Sequence, residues 1–274
     1  MKLKPKESLD IGPWSDIALD DNVTQSWQCG DLRLECRRDG DDFWLRHWYE
    51  HDPLDNSGKS LPPGSNAVVG KDDAEWKRWR TNAFKALRFS PHFPDRPVVV
   101  KPEHAFILPA GAQSQVYVRC PVWICLAAVS PGEKKIVEIA TVILSDTWFG
   151  DFFHGELCFW ISSSARTECE INPNKTHLAI CPVKIINETD AELTVEKICL
   201  RVRGLSLYQM ENQLWSDETT VRLQSSDGSS QITAAGKPPA AAPKAIKICG
   251  PRDPSRSNLF VRAVDSMRQI TGFD

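Results

Sequence analysis

The chain lacks the long apolar runs that cross a membrane. No stretch of its 274 residues approaches about 18 consecutive apolar residues, the shortest length that reads as a span. The lysine-rich start, MKLKPKESLDIGPW, has no apolar segment behind it, so neither a signal peptide nor direct membrane insertion is expected. A strong charge of either sign is missing too. With 33 Lys and Arg against 36 Asp and Glu, the formal net charge is -3, without the basic excess of a nucleic-acid binder, and no nucleic acid is expected as a partner. The nine cysteines show no CxxC spacing, and an odd number cannot close into a complete disulfide framework. Cys120, Cys125, Cys181 and Cys199 stand inside apolar, strand-like runs, where cysteine packs as a small hydrophobe. That usage predicts a reducing, cytoplasmic setting. There is also no GxSxG elbow, phosphate-binding glycine loop, dinucleotide fingerprint or internal repeat, so no cofactor is expected.

What the chain has is a succession of short runs rich in Val, Ile, Trp, Phe and Thr, separated by turn residues, which is the pattern of strands. DLRLECR (31–37) alternates, with Leu32, Leu34 and Cys36 on one face. DFWLRHW (42–48) follows across a DGD turn, so the two predict a hairpin. QVYVRCPVWICL (115–126) alternates in the same way, and the LPAGAQ turn before it predicts a second hairpin. Pro121 removes a ladder donor and belongs on an edge or at a bulge. Further strands are predicted at 136–144, 178–186, 193–202, 205–210 and 219–223. In LTVEKICLRV the apolar phase slips between Val195 and Ile198, which a bulge would accommodate.

Two stretches carry helical spacing. Trp76, Trp79, Ala83, Phe84 and Leu87 predict a helix over 73–88, and Phe260, Ala263, Val264 and Met267 predict one over 256–270. The expected fold is therefore mainly β, an antiparallel β-sandwich with two peripheral helices. The expected division is an N-terminal β-rich lobe, 1–165, and a C-terminal sandwich lobe, 166–274, with a low-complexity loop at 228–244. A single continuous domain is the alternative.

The densest chemistry lies in LSDTWFGDFFHGELCFW (144–160). If 154–161 is extended, His154, Glu156, Cys158 and Trp160 share one face, and Leu157, Phe159 and Ile161 share the other, which is expected to be the core face. TWFGD reads as a turn. The functional reading makes Asp151, His154 and Glu156 a carboxylate–imidazole cluster able to hold a metal or move a proton. The ordinary reading makes Ser145, Asp146 and Thr147 turn caps and leaves His154 and Glu156 on a solvated face. No third or fourth ligand is identifiable, so no metal site is predicted. In RHWYEHDP, His47 and His51 would suit zinc on a helix, but Pro53 leaves no room for one, and His47 reads as a strand residue. Among the ten tryptophans, Trp123, Trp148 and Trp160 are the candidates for a ligand-binding aromatic face.

At FSPHFPDRPVVVKPE, LPAGAQSQVYVRCPVW, LSDTWFGDFFHGELCFW and AICPVKIINETDAELTVEKICLRV the chain resembles the prokaryotic family known as domain of unknown function 432, over roughly residues 14–223. The resemblance implies a soluble protein and transfers no catalytic residue. Its association with small mechanosensitive-channel genes implies a cytosolic accessory role beside a membrane-channel subunit. The expected function is a non-enzymatic module that binds a partner protein. The alternatives are a metal-dependent or acid/base hydrolase using the TWFGDFFHGE region, and small-ligand or carbohydrate binding on an aromatic sheet face.

Overall fold

A computed structural model describes residues 9–10, 14, 16–50, 76–81, 84, 86–130, 132–150, 152–153, 155–161, 165–172, 175–224 and 229–262. The described chain is mainly β, with mostly antiparallel pairing and helix limited to single 3-10 turns such as Val202–Gly204 and Pro254–Ser257. It divides into two compact units. The first comprises Met1–Pro91 and Trp123–Ile143, and the second His92–Val122 and Leu144–Asp274.

In the first unit, Thr24–Cys29, Leu32–Asp39 and Asp42–Tyr49 form the centre of a five-stranded sheet. The predicted hairpin is present: Asp39 faces Asp42 across a two-residue loop, where Gly40 takes the positive φ (56°) that such a turn requires. A four-stranded sheet contains Gly132–Ala140, Trp123–Ser130, Ala86–His92 and Asp16–Ile17. Period-two alternation aims Leu32, Leu34, Cys36, Phe43 and Leu45 from the first sheet and Leu87, Phe89, Ile124 and Leu126 from the other into one core cluster.

Neither expected helix is seen. Within 73–88, Lys77–Arg80 and the start of Ala86–His92 are strands; residues 73–75, 82–83 and 85 lie outside the described residues. The helical spacing of the tryptophans is overridden by what an extended chain can reach. Trp79 pairs across the sheet with Phe43, ring centroids 6.1 Å apart, and Arg78 ion-pairs with Asp42. The Trp76 indole lies under the guanidinium groups of Arg46 (4.7 Å) and Arg37 (5.5 Å). Arg37 also stacks on Trp44 at 5.6 Å, so cation–π contacts of about 0.5–1 kcal/mol each reward the edge-strand geometry. Within 256–270, the turn Pro254–Ser257 leads into the strand Asn258–Arg262. That strand pairs with Ser229–Ala234 over five residues, so an available sheet edge again outweighs local periodicity. Residues 263–270 lie outside the described residues.

The second unit is built around Leu178–Asn187. It runs antiparallel to Gln113–Pro121 along its length and parallel to Gln213–Ser216 and Thr219–Leu223 at its two ends. Pro121 is the last residue of its strand, where a missing donor costs least. The LPAGAQ turn forms, with Gly111 at φ 70°, but the strands on its two sides do not pair as a hairpin. Phe106–Leu108 pairs instead with Leu193–Val195. The phase slip at Glu196–Lys197 has a related cause: Leu193–Val195 and Ile198–Leu200 belong to different sheets, so the chain changes partners there instead of bulging within one ladder. Part of the low-complexity segment is structured, with Ser229–Ala234 a strand and Ala242 packed against Trp215, Tyr208 and Ile180.

Asn187 locks this unit. Its side chain is fully buried, and Nδ2 donates to the carbonyls of Leu108 (3.0 Å), Pro109 (3.1 Å) and Ala191 (2.8 Å). Oδ1 accepts from the Thr189 amide (3.2 Å) and hydroxyl (2.7 Å). Asn187→Asp would put an acceptor-only carboxylate against three carbonyl oxygens. Its folded-state pKa would rise, so the destabilisation is present above that pKa and shrinks as pH falls through it. A loss of about 3–5 kcal/mol near pH 7 is expected, with a smaller loss near pH 5, read as urea-unfolding free energies at both pH values.

Candidate functional site

The four-stranded sheet of the second unit contains β1 (Val98–Val100), β2 (Ser145–Phe149), β3 (Glu156–Trp160) and β4 (Ile198–Leu200), in the order β2-β3-β1-β4. All three valines of β1 are buried, as in a strand covered on both faces. β3 lies parallel to β1, pairing Phe159 with Val98 and Trp160 with Val99. β4 lies antiparallel on the other side, pairing Cys199 with Val99 and Leu200 with Val98. β2 and β3 form a hairpin, Thr147 opposite Cys158 and Phe149 opposite Glu156. Its turn begins at Gly150 (φ 111°). The predicted turn TWFGD is thus half strand, because Thr147, Trp148 and Phe149 find ladder partners on β3.

Alternation divides the hairpin into two faces of different character. On one face Val99, Phe149 and Cys158 form a buried cluster, with Trp160 and Cys199 packed against it. The Lys101 ammonium sits 5.8 Å from the centre of the Trp160 ring. Glu156 is on this face and ion-pairs with Arg201, just beyond β4, whose side chain is largely buried. A carboxylate oxygen of Glu156 and the sulfurs of Cys158 and Cys199 all lie within 4.8 Å of one another. The hydrogen bond with Cys158, and then burial, push the Cys199 thiol well above its usual range, while Arg201 pulls the other way. A thiol held protonated in this way is a poor nucleophile.

The opposite face is open. Trp148 is 54% exposed and its cross-strand partner Leu157 is 45% exposed. Phe159 lies 5.0 Å below the Arg96 guanidinium, and Arg96 ion-pairs with Asp146 at 2.9 Å. At the tip, Phe152 and Phe153 are 87% and 85% exposed, with their rings edge to face at 5.4 Å. The expected core face is therefore reversed at this end of the sheet. Cys158 is sealed among Val99, Phe149, Trp160 and Cys199, while Leu157 is wet.

Of the residues singled out from the sequence, Glu156 joins the cluster, while Asp151 and His154 lie outside the described residues. Trp148 is exposed and Trp160 half-buried in the second unit; Trp123 is half-buried at the start of a strand in the first. The structure brings Trp148 and Trp160 into one hairpin, on opposite faces. His47 is a strand residue, as expected. Burial, and then Lys77, hold its imidazole below the usual range, and its ring meets Tyr49 edge-on at 6.2 Å. The contributors that sequence reasoning missed are Cys199 and Arg201, some forty residues downstream. The slip at Glu196–Lys197 was the available signal, since it marks where the chain enters this sheet.

Among protein families, the one described as "Protein of unknown function (DUF432)" matches residues 13–268. No curated protein and no solved structure matches the chain.

The ion pair between Glu156 and Arg201 differs in setting from the surface network of Arg88 with Asp16 and Glu133. Glu156→Ala strands a largely buried guanidinium and is expected to cost about 2–3 kcal/mol of unfolding free energy. Glu133→Ala is expected to cost less than about 1 kcal/mol. Chemical denaturation of both variants measures the contrast.

Proposed function

Since the chain belongs to the DUF432 family, whose description assigns no activity, we propose from its geometry that it is a protein-interaction module that engages a partner protein through the β2–β3 hairpin. The observation that carries this reading is the grouping of exposed aromatic and aliphatic side chains. Trp148, Phe152, Phe153 and Leu157 fall within ten residues of one another, on one hairpin. Scattered exposed hydrophobes mean little, but a contiguous group with a polar rim is the usual form of a binding surface. Here the rim is supplied by Asp146 and Arg96.

The mode of engagement follows from the sheet order. Among the described residues β2 is the terminal strand of its sheet, and it carries neither lysine nor proline to discourage pairing. An extended segment of the partner adds to this edge through backbone hydrogen bonds, with its apolar side chains against Trp148 and Leu157. An accessory role beside a membrane-channel subunit, implied by the resemblance, would use the same surface. All nine cysteines are free thiols, which supports a reducing, cytoplasmic setting. We likewise read the first unit as a β-sandwich, on the core cluster its two sheets share.

A hydrolase reading has less support. Glu156 is charge-paired with Arg201, and the nearby Cys199 thiol is held well above its usual range. Carbohydrate stacking on Trp160 meets the Lys101 ammonium over its ring.

The test is a photo-crosslinking amino acid at Phe152 in the native host, followed by reconstitution with the purified partner it captures. The triple variant Trp148→Ser, Phe152→Ser, Phe153→Ser is expected to keep its unfolding midpoint. Loss of aromatic anchors worth about 2 kcal/mol or more should weaken that complex at least roughly 30-fold. Equal binding by the triple variant, adducts confined to lipid, or no adduct at all would each overturn the reading.

A further inference from the structure

We infer that Glu156, Cys158 and Cys199 form a binding site for one divalent metal ion of the zinc class, held between β3 and β4 across β1. The inference does not rest on the interaction reading above. Its first support is distance. The three donor atoms lie within 4.8 Å of one another, and tetrahedral zinc with sulfur and oxygen ligands separates its donors by about 3.5–3.8 Å. Closing any difference takes at most about 1 Å per pair, within reach of small side-chain rotations.

The second support is topology. Cys158 and Cys199 stand on strands that flank β1 and do not pair with each other. Cys199 is level with Trp160 across Val99, and Cys158 lies two residues farther along β3, so the two Cα atoms are at least about 9–10 Å apart, beyond the roughly 7 Å limit for a disulfide. The two sulfurs therefore face each other where no covalent bond can join them, but a shared ion can.

Charge selects the class of ion. Two thiolates and the Glu156 carboxylate carry three negative charges, and Arg201 supplies one positive charge. A divalent ion brings the buried group to neutrality, whereas a monovalent one leaves it negative, at a cost in a low-dielectric interior. Thiolate donors disfavour calcium and magnesium and suit zinc or cobalt(II). Arg201 holds the carboxylate in place and restrains its orientation, the role that outer partners play around bound metals. With three protein donors, a fourth position remains for water or another small ligand.

The test uses the full chain, reduced and stripped with a chelator, then titrated with cobalt(II) and competed with zinc. The expected result is one cobalt per chain, with a thiolate-to-cobalt charge-transfer band and tetrahedral ligand-field absorption, both removed by zinc. Replacing an outer partner costs about 10–100-fold in affinity, so Cys199→Ser, Cys158→Ala and Glu156→Gln should each lose more than Arg201→Lys. Cys249→Ser, outside the cluster, should bind as the parent chain does. Should the cysteine variants fail to fold, mass-spectrometric mapping of alkylation on the parent chain replaces them, with zinc expected to shield Cys199. Absence of the charge-transfer band, its survival in folded Cys199→Ser, or shielding confined to other cysteines would overturn the proposal.

Discussion

Everything of functional interest in the second unit depends on the burial of three valines. Val98, Val99 and Val100 exclude water completely or nearly so, and a strand sealed on both faces must find a hydrogen-bonding partner along each edge. Glu156–Trp160 satisfies one edge and Ile198–Leu200 the other. Segments about forty residues apart are thereby brought into register with the same three-residue strand. The alignment of Cys158, Cys199, Glu156 and Arg201 is a consequence of that double pairing. Any change that loosened the valines would separate these groups even though none of them touched the altered atom.

The same hairpin presents two faces of different character. The strands carry side chains alternately to opposite faces, so a single register decision sends Phe149, Glu156, Cys158 and Trp160 to one face and Trp148, Leu157 and Phe159 to the other. A slip of one residue would exchange the two sets, exposing Cys158 and burying Trp148. The edge-to-centre gradient of the sheet reinforces the division. Close to β1 both faces are covered, and towards β2 one face opens to solvent. The aromatic grouping lies at the open end, and the polar cluster lies where the covering begins.

Strand alternation made much of this legible in the amino-acid sequence. The hairpin of Leu32–Asp39 and Asp42–Tyr49 and the extended state of Glu156–Trp160 follow from period-two patterns and turn residues. What misled was periodicity without context. Trp76, Trp79 and Leu87 sit at helical spacing, yet the two tryptophans meet Arg37, Arg46 and Phe43 on strands 30 to 39 residues earlier, and Leu87 pairs with Ile17 in another sheet. The face of the hairpin was misjudged for a similar reason. Leu157 and Phe159 are the more hydrophobic set, yet Cys158 is buried with Val99 and Phe149 while Leu157 is exposed. The second half of the polar cluster, on Ile198–Leu200 and Arg201, was invisible because no local rule links two short strands that meet through a third.

The saturation of Asn187 has one more implication. With Glu188 and Thr189 it spells an acceptor triplet for N-linked sugars, and a glycan would be attached through the same amide nitrogen that donates to Leu108, Pro109 and Ala191. Folding and glycosylation therefore compete for a single atom. A chain produced in a eukaryotic secretory pathway would meet the transferase before these contacts could close, and every modified molecule would be barred from its native turn.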